Sequence, residues 1–184
     1  MLRTLPDPAL QRQSARLAGI AIFTLATVVS ARLVIPLEPV PFTLQPLVVL
    51  LAGMVLGARD GALSQIAYVA LIAIGLPLDA NMRGSAALLG PTGGYLIGFI
   101  AAAFVTGLIA ERAGSRLWQR WLAGVAGIAV IYAFGVPLLA LSRGLTLEQA
   151  WAVGVAPFLA ADLVKALLAA ALTEGSRALL LRGR

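Results

Sequence analysis

Long apolar intervals, bounded by charged residues, are the feature that most constrains the fold of this 184-residue chain. A helix needs about 20 mainly apolar residues to cross the hydrocarbon core of a bilayer. Hydrophobic residues make up 60% of the chain and charged residues 12%, against about 25% charged in typical soluble domains. So few charged side chains do not cover the surface of a soluble domain. We therefore predict an all-α integral membrane protein.

Six of these intervals predict six transmembrane helices within a single membrane domain of residues 1–184. The helices are predicted at about residues 17–35, 47–58, 61–78, 92–110, 121–141 and 149–172. Pro41 and Pro46 restrict the second helix, which is too short to cross alone, and Pro137 is expected to kink the fifth. Residues 1–14 and 173–184 are predicted to be tails.

Arginine distribution predicts the orientation of these helices. If the N-terminus is cytoplasmic, ten arginines fall on that side: Arg3, Arg12, Arg16, Arg59, Arg112, Arg116, Arg120, Arg177, Arg182 and Arg184. Only Arg32, Arg83 and Arg143 fall on the other. Because cytoplasmic loops carry an excess of Lys and Arg, both termini are predicted to be cytoplasmic.

Several classes of function are disfavoured by composition. The chain has no cysteine and no histidine, which removes disulfides, thiolate and imidazole metal sites, and catalysis by either residue. The positive charges separate apolar runs instead of forming the basic face that nucleic acid requires. We predict neither an enzyme nor a nucleic-acid-binding protein, and no metal or cofactor.

Asp162 and Lys165 are the strongest candidates for a binding site. They are the ionisable residues well inside a predicted span, and Lys165 is the only lysine of the chain. Three residues apart, they share one helix face. A charge at this depth is costly and usually faces a cavity or the bundle interior. Either the pair contacts a ligand, or it is an ion pair that only stabilises the bundle.

Two further segments carry polar side chains at membrane depth. Residues 39–46 contain three prolines with Thr43 and Gln45. The amide of Gln45 suits a ureide or amide ligand, but it also suits the cap of the next helix. In the glycine-rich run of residues 90–99, Tyr95 can stack on a ligand ring or anchor at the membrane interface.

The loop between the third and fourth helices contains Asp79, Asn81 and Arg83. These residues are either solvated or part of a gate over an outward-facing cavity. Ala15 and Gly19 form a small-residue face on the first helix. Such spacing lets helices approach closely in lipid, either inside the bundle or against another membrane subunit.

Together these motifs resemble the BioY family. The resemblance covers about residues 15–175 and rests on Val40-Pro41-Phe42-Thr43-Leu44-Gln45, Gly75-Leu76-Pro77, Gly90-Pro91-Thr92-Gly93-Gly94-Tyr95 and Asp162-x-x-Lys165, in this order. BioY proteins are the substrate-binding S components of energy-coupling factor (ECF) transporters for biotin. The chain departs from the family at Leu78-Asp79-Ala80-Asn81-Met82-Arg83, where members often have an aromatic and small residues.

The resemblance implies a six-helix S-component fold that captures biotin with high affinity from outside a bacterial cell membrane. The implied partners are a transmembrane coupling protein, which would dock on the face of Ala15 and Gly19, and two ABC-type ATPases. The implied biotin site contains Asp162, Lys165, Gln45, Thr43, Arg83, Asn81 and Tyr95.

Within that site, Lys165 is assigned to the biotin carboxylate and Asp162 to a ureido N–H. The reverse placement of the polar groups is the alternative. Two other functions compete with biotin uptake: the same fold with another vitamin as ligand, and a membrane bundle protein that transports nothing.

Overall fold

A computed structural model describes residues 8–113 and 116–182, with side chains for residues 11–113 and 116–175. Its elements, in chain order, are α1 (Pro8–Arg32), β1 (Val34–Ile35), β2 (Phe42–Thr43), α2 (Gln45–Ala73), α3 (Ala86–Leu89), α4 (Gly93–Arg112), α5 (Leu117–Arg143), α6 (Leu147–Gly154) and α7 (Leu159–Arg182). The strands β1 and β2 form a two-residue antiparallel pair.

Within the described residues, four helices are long and apolar enough to cross a membrane: α1 from Gln11, α2, α4 and α5. The pair α6 and α7, bent by 57° at the break between them, adds a fifth candidate span. The prediction of an all-helical membrane protein is therefore confirmed, although helix α2 differs from the predicted arrangement.

Helix α2 folds back on itself at Gly57. Gly57 has φ 84° and ψ 176°, outside the helical region. A Cβ built on Gly61 would lie 2.8 Å from the Cα of Gly53, although eight residues of straight helix rise about 12 Å. Residues 45–56 and 58–73 therefore lie side by side, and the backbone N–H of Ala58 donates to Glu111 Oε1 at 2.8 Å. The turn at Gly57 lies just inside the end of the predicted helix 47–58, and the second half of α2 ends at Ala73 instead of residue 78.

The predicted tails and the sixth helix need correction. Residues 8–14 belong to α1 and residues 173–182 to α7, because polar residues can extend a helix beyond its apolar stretch and hydropathy does not detect them. The predicted helix 149–172 is interrupted between Gly154 and Leu159, where Pro157 disfavours helical backbone at the residue before it. Residues 1–7 and 183–184, with Arg3 and Arg184 of the arginine count, lie outside the described residues.

The remaining predicted helices differ from the structure only at their ends. The first helix ends at Arg32 instead of residue 35, the fourth spans Gly93–Arg112 instead of 92–110, and the fifth spans Leu117–Arg143 instead of 121–141. The predicted loop after residue 78 contains the short helix α3.

Buried hydrogen bonds from polar side chains join α1 to the second half of α2. The Thr24 hydroxyl donates to the carbonyl of Ser64 at 2.9 Å, and the Gln65 amide donates to Thr27 Oγ1 at 3.2 Å. All four residues are buried. Since lipid supplies no hydrophobic force between helices, such hydrogen bonds and close packing hold them together.

Glycines let α4 pack closely between α2 and α5. A Cβ on Gly53 would overlap the carbonyl oxygen of Ala103, and one on Gly107 would overlap Ala58. On the other side of α4, Gly94 lies against the backbone of Phe134 in α5. This packing fixes the positions of the elements that line the cavity described below.

Gly53→Ala is expected to destabilise the ligand-free protein by about 1–3 kcal/mol, the usual cost of overpacking, because the new methyl group meets backbone that cannot rotate away. Thermal unfolding in detergent measures the change. The matched control is Gly175→Ala, since a Cβ there meets nothing within 4 Å. Equal unfolding temperatures for both variants would contradict the packing described here.

Candidate functional site

One cavity opens at the end of the bundle where α1 ends and α7 begins. Its volume is about 60 Å³, below the range of about 300–1,000 Å³ found for small-molecule sites, so ligand binding there requires the lining residues to move apart. It is lined by residues from five parts of the chain: Val40, Pro41, Phe42, Thr43, Gln45 and Pro46 before and at the start of α2; Asp79, Ala80 and Asn81; Thr92 before α4, with Tyr95, Leu96 and Phe99 of α4; Ile131 and Tyr132 of α5; and Gly154, Phe158, Asp162 and Lys165. The arginine count predicts that this end faces outward.

Asp162 and Lys165 form an ion pair in the wall of the cavity. Lys165 Nζ lies 2.7 Å from Asp162 Oδ1, and each residue is 4% exposed. Lys165 Nζ also donates to the Thr43 carbonyl at 2.7 Å, and the Tyr132 hydroxyl donates to Asp162 Oδ2 at 2.5 Å. Since an ammonium has three N–H donors, one donor of Lys165 is left for a ligand. Asp162 likewise keeps acceptor capacity.

The break between α6 and α7 determines where Asp162 and Lys165 lie in the helix. Helix α7 begins at Leu159, so Asp162 lies in its first turn, where the helix dipole stabilises a carboxylate. The antiparallel pairing of Val34 with Thr43 holds the segment before α2 in place. The Thr43 carbonyl then faces Lys165.

Aromatic rings cover the apolar part of the wall. The Phe42 ring stacks on Phe158 with centroids 6.3 Å apart and planes at 19°. Lys165 Nζ lies 3.9 Å from the Phe42 centroid, a cation–π contact that partly replaces the lost solvation of the ammonium. Phe99 adds a third ring to the lining.

Gln45 joins the cavity wall to residues behind it. Its Nε2 donates to the Tyr68 hydroxyl at 2.7 Å, which donates in turn to the Leu78 carbonyl at 3.2 Å. The Thr43 hydroxyl lies 3.3 Å from Gln45 Oε1 and accepts from the Gln45 backbone N–H at 3.2 Å. Gln45 therefore lines the cavity but does not cap α2: the N-cap residue is Leu44, which has no side-chain cap hydrogen bond, and the Gln45 amide binds Tyr68 instead.

The loop after α2 is only partly solvated. Asp79 is 2% exposed, and its carboxylate accepts from the backbone N–H groups of Asn81, Arg83 and Gly84 at 3.1, 2.7 and 2.8 Å. Asn81 is exposed and lines the cavity. The Arg83 side chain is exposed and does not line it.

Tyr95 is buried inside the bundle and is not an interface anchor. Its hydroxyl donates to the Gly154 carbonyl at 3.0 Å, and its ring lies against Gly135, where a Cβ would overlap it. Tyr95 therefore links α4 and α5 to the end of α6. Its exposed edge lines the cavity.

Of the seven residues predicted for the ligand site, the structure brings six together: Asp162, Lys165, Gln45, Thr43, Asn81 and Tyr95. Arg83 lies nearby on the loop but outside the lining. Sequence reasoning missed Phe158 and Tyr132. Phe158 could have been found from its position four residues before Asp162, on the same face of the predicted helix 149–172; no sequence signal pairs Tyr132 with Asp162.

Ala15 and Gly19 lie away from the cavity. Ala15 is exposed, whereas a Cβ on Gly19 would lie 2.9 Å from Leu56 Cδ2. Gly19 is therefore in contact with α2 inside the chain. Among the described residues, no group of three or more Asp, Glu, His or Cys side chains could hold a metal ion.

Comparison with known proteins gives a consistent result. A family model described as "BioY family" matches residues 6–182. A Thermotoga maritima protein named "Biotin transporter BioY" is 49% identical over 150 residues, covering 81% of this chain and 88% of that protein. A Pyrococcus horikoshii protein named "Probable biotin transporter BioY" is 41% identical over 156 residues, with coverage of 84% and 91%.

A solved structure shows the same fold. It is described as the crystal structure at 2.1 Å of the S-component for biotin from an ECF-type ABC transporter. The two structures superpose with a TM-score of 0.84 and 26% identity, over 91% of this chain and 93% of the other.

The contribution of the Asp162–Lys165 ion pair to stability can be tested in the ligand-free protein. Removing one partner leaves an unpaired buried charge, so Lys165→Met is expected to cost about 3–5 kcal/mol. The double variant Asp162→Asn with Lys165→Met leaves no unpaired charge and should unfold at a higher temperature than Lys165→Met alone. Thermal unfolding in detergent measures both. If the double variant is less stable than Lys165→Met, the two residues are not energetically coupled as a pair.

Proposed function

Because the chain belongs to the BioY family, we propose that it binds biotin in the cavity described above and mediates its uptake as the S component of an ECF-type transporter. It is a transport protein, not an enzyme. The observation that carries the ligand assignment is the Asp162–Lys165 pair, which presents an acceptor and a donor side by side in an aromatic-walled cavity.

The chemistry of biotin suits this cavity. The ureido group offers two N–H donors and a carbonyl acceptor. Asp162 has acceptor capacity for an N–H, and Lys165 has a donor for the carbonyl. The fused rings and the aliphatic chain are apolar and suit the walls formed by Phe42, Phe158 and Phe99.

The proximity of the two charged groups favours a revised orientation of biotin. With Lys165 Nζ only 2.7 Å from Asp162 Oδ1, the pair forms one polar cluster. The carboxylate and the ureido group lie at opposite ends of biotin, separated by a ring and four methylene groups. The Asp162–Lys165 cluster can therefore bind only one of the two ends. The ureido group matches alternating acceptor and donor, whereas Asp162 would repel a carboxylate.

We accordingly place the ureido ring at Asp162 and Lys165, in place of the assignment of Lys165 to the carboxylate. The carboxylate then extends toward the mouth, where the Asn81 amide lines the cavity and Arg83 follows two residues later on the same loop. Thr43, Gln45 and Tyr95 shape the wall between these two ends.

The proposed topology has six spans with both termini cytoplasmic, in the cell membrane. The two halves of α2 count as two short spans, and α6 with α7 counts as one, in addition to α1, α4 and α5. Non-helical backbone at residues 40–44 completes the crossing of the first half of α2. Such backbone is tolerated at membrane depth where protein or a cavity shields it.

The proposed partners are a transmembrane coupling protein and two ABC-type ATPases, which would supply the energy for uptake. Support comes from the structural relative, whose description names an ECF-type ABC transporter. We propose α1 as the docking helix because Ala15 and large apolar residues, including Ile22 and Leu25, are exposed on it. Gly19, which contacts Leu56, supports this surface from inside the chain.

Lys165→Met is expected to weaken biotin and biotin amide by the same factor, because Lys165 is proposed to contact the ureido group that both ligands share. Equilibrium binding to the detergent-purified protein, with unfolding temperature as a check on folding, measures this. An exposed arginine provides the matched control, Arg143→Met, which should leave both affinities unchanged.

The same experiment separates the alternatives. Loss of affinity for biotin but not for biotin amide would place the carboxylate at Lys165 and reject the proposed orientation. Failure of the folded wild-type protein to bind biotin, together with saturable binding of another vitamin, would reject the biotin assignment itself.

A further inference from the structure

Three consecutive backbone carbonyls after α2 each accept a hydrogen bond from a side chain of another segment. Arg32, the last residue of α1, donates from Nη2 to the Pro77 carbonyl at 2.5 Å and from Nη1 to the Asp79 carbonyl at 3.3 Å. Between them, the Tyr68 hydroxyl donates to the Leu78 carbonyl at 3.2 Å. Neither Arg32 nor Tyr68 lines the cavity.

Residues 79–84 depend for their conformation on the hydrogen bonds that Arg32 and Tyr68 donate to the carbonyls of residues 77–79. The Asp79 carboxylate binds the backbone N–H groups of Asn81, Arg83 and Gly84. Met82 adopts φ 55°, a left-handed conformation that costs free energy in a non-glycine residue. A loop with such a residue keeps its conformation only while neighbouring groups constrain it. The Asp79 carboxylate can constrain residues 81–84 only if the backbone of Asp79 is itself fixed.

Tyr68 connects this loop to the opposite wall of the cavity. It is fully buried, and its hydroxyl accepts from Gln45 while it donates to Leu78. One hydroxyl therefore sets the spacing between Gln45 and the loop that carries Asn81. Both of those residues line the cavity.

We propose that Arg32 and Tyr68 are positioning residues for ligand binding: by holding the carbonyls of residues 77–79, they keep Asn81 and Gln45 in the geometry that the ligand requires. This inference rests on the proposed biotin site, since Asn81 and Gln45 belong to it. When only a fraction of the molecules has the binding-competent arrangement, the apparent affinity is the intrinsic affinity multiplied by that fraction. Loss of one anchor is therefore expected to weaken biotin binding by about tenfold, the effect of a hydrogen bond at the upper end of its usual net range.

The test uses Arg32→Met and Tyr68→Phe in the full-length chain, with two readouts. Hydrogen–deuterium exchange of the backbone amides of residues 79–84, measured without ligand, should be faster in both variants. Biotin affinity should fall by about tenfold in each, within the range expected for a lost hydrogen bond. Tyr68→Phe keeps the ring, and Arg32 is exposed, so both variants are expected to fold.

Two matched controls separate positioning from stability. Arg143→Met removes an exposed arginine that also ends a helix and whose side chain has no hydrogen-bond or ion-pair partner among the described residues. Thr24→Val removes a buried hydrogen bond between α1 and α2, about two helical turns along α1 from Arg32. Thr24→Val should lower the unfolding temperature without changing either the exchange of residues 79–84 or the affinity.

A double-mutant cycle tests whether Arg32 affects biotin affinity through Asn81. If Arg32 acts through Asn81, the affinity lost in Arg32→Met with Asn81→Ala is less than the product of the two single losses. Multiplicative losses, or unchanged exchange of residues 79–84 in both single variants, would overturn the proposal. If the wild-type protein did not bind biotin, the proposed function would fail, while the exchange experiment would still decide whether Arg32 and Tyr68 hold the loop.

Discussion

The buried pair of Asp162 and Lys165 is the interaction on which the site depends. Charges in a lipid-facing bundle are costly unless they are paired and hydrogen-bonded, and here each partner has a second neighbour. Lys165 binds the Thr43 carbonyl, and Asp162 binds the Tyr132 hydroxyl. The pair thus joins α7 to the segment before α2 and to α5. A displacement of any of the three would leave a buried charge incompletely compensated.

Close backbone packing makes that cluster possible. The turn at Gly57 returns the second half of α2 alongside the first, which brings Tyr68 to Gln45. Gly135 leaves room for the Tyr95 ring, whose hydroxyl reaches Gly154. Gly124 lets α5 lie against Ala166 of α7, the helix in which Tyr132 finds its partner Asp162. The cavity is therefore formed by short polar contacts between helices whose separation is set by small residues.

The sequence predicted the membrane class and most of the residues of the candidate site because both leave strong signals. Apolar intervals mark spans, and a lone lysine three residues after an aspartate inside a span is rare enough to indicate a site. The sequence did not predict the break at residues 155–158 or the helical extension to Arg182, because hydropathy reports the bilayer and not helix ends. Tyr132 and Arg32 were missed because their partners, Asp162 and the carbonyls of residues 77 and 79, are distant in the chain and are brought close only by tertiary packing.

The proposed biotin orientation is tested most directly by an experimental structure of the protein crystallised with biotin, in which anomalous scattering from the biotin sulfur fixes the position of the ring system. We expect the ureido group within hydrogen-bond distance of Asp162 and Lys165, the fused rings against Phe42 and Phe158, and the carboxylate toward Asn81. Biotin with its carboxylate at Lys165, or bound outside this cavity, would contradict the proposed orientation.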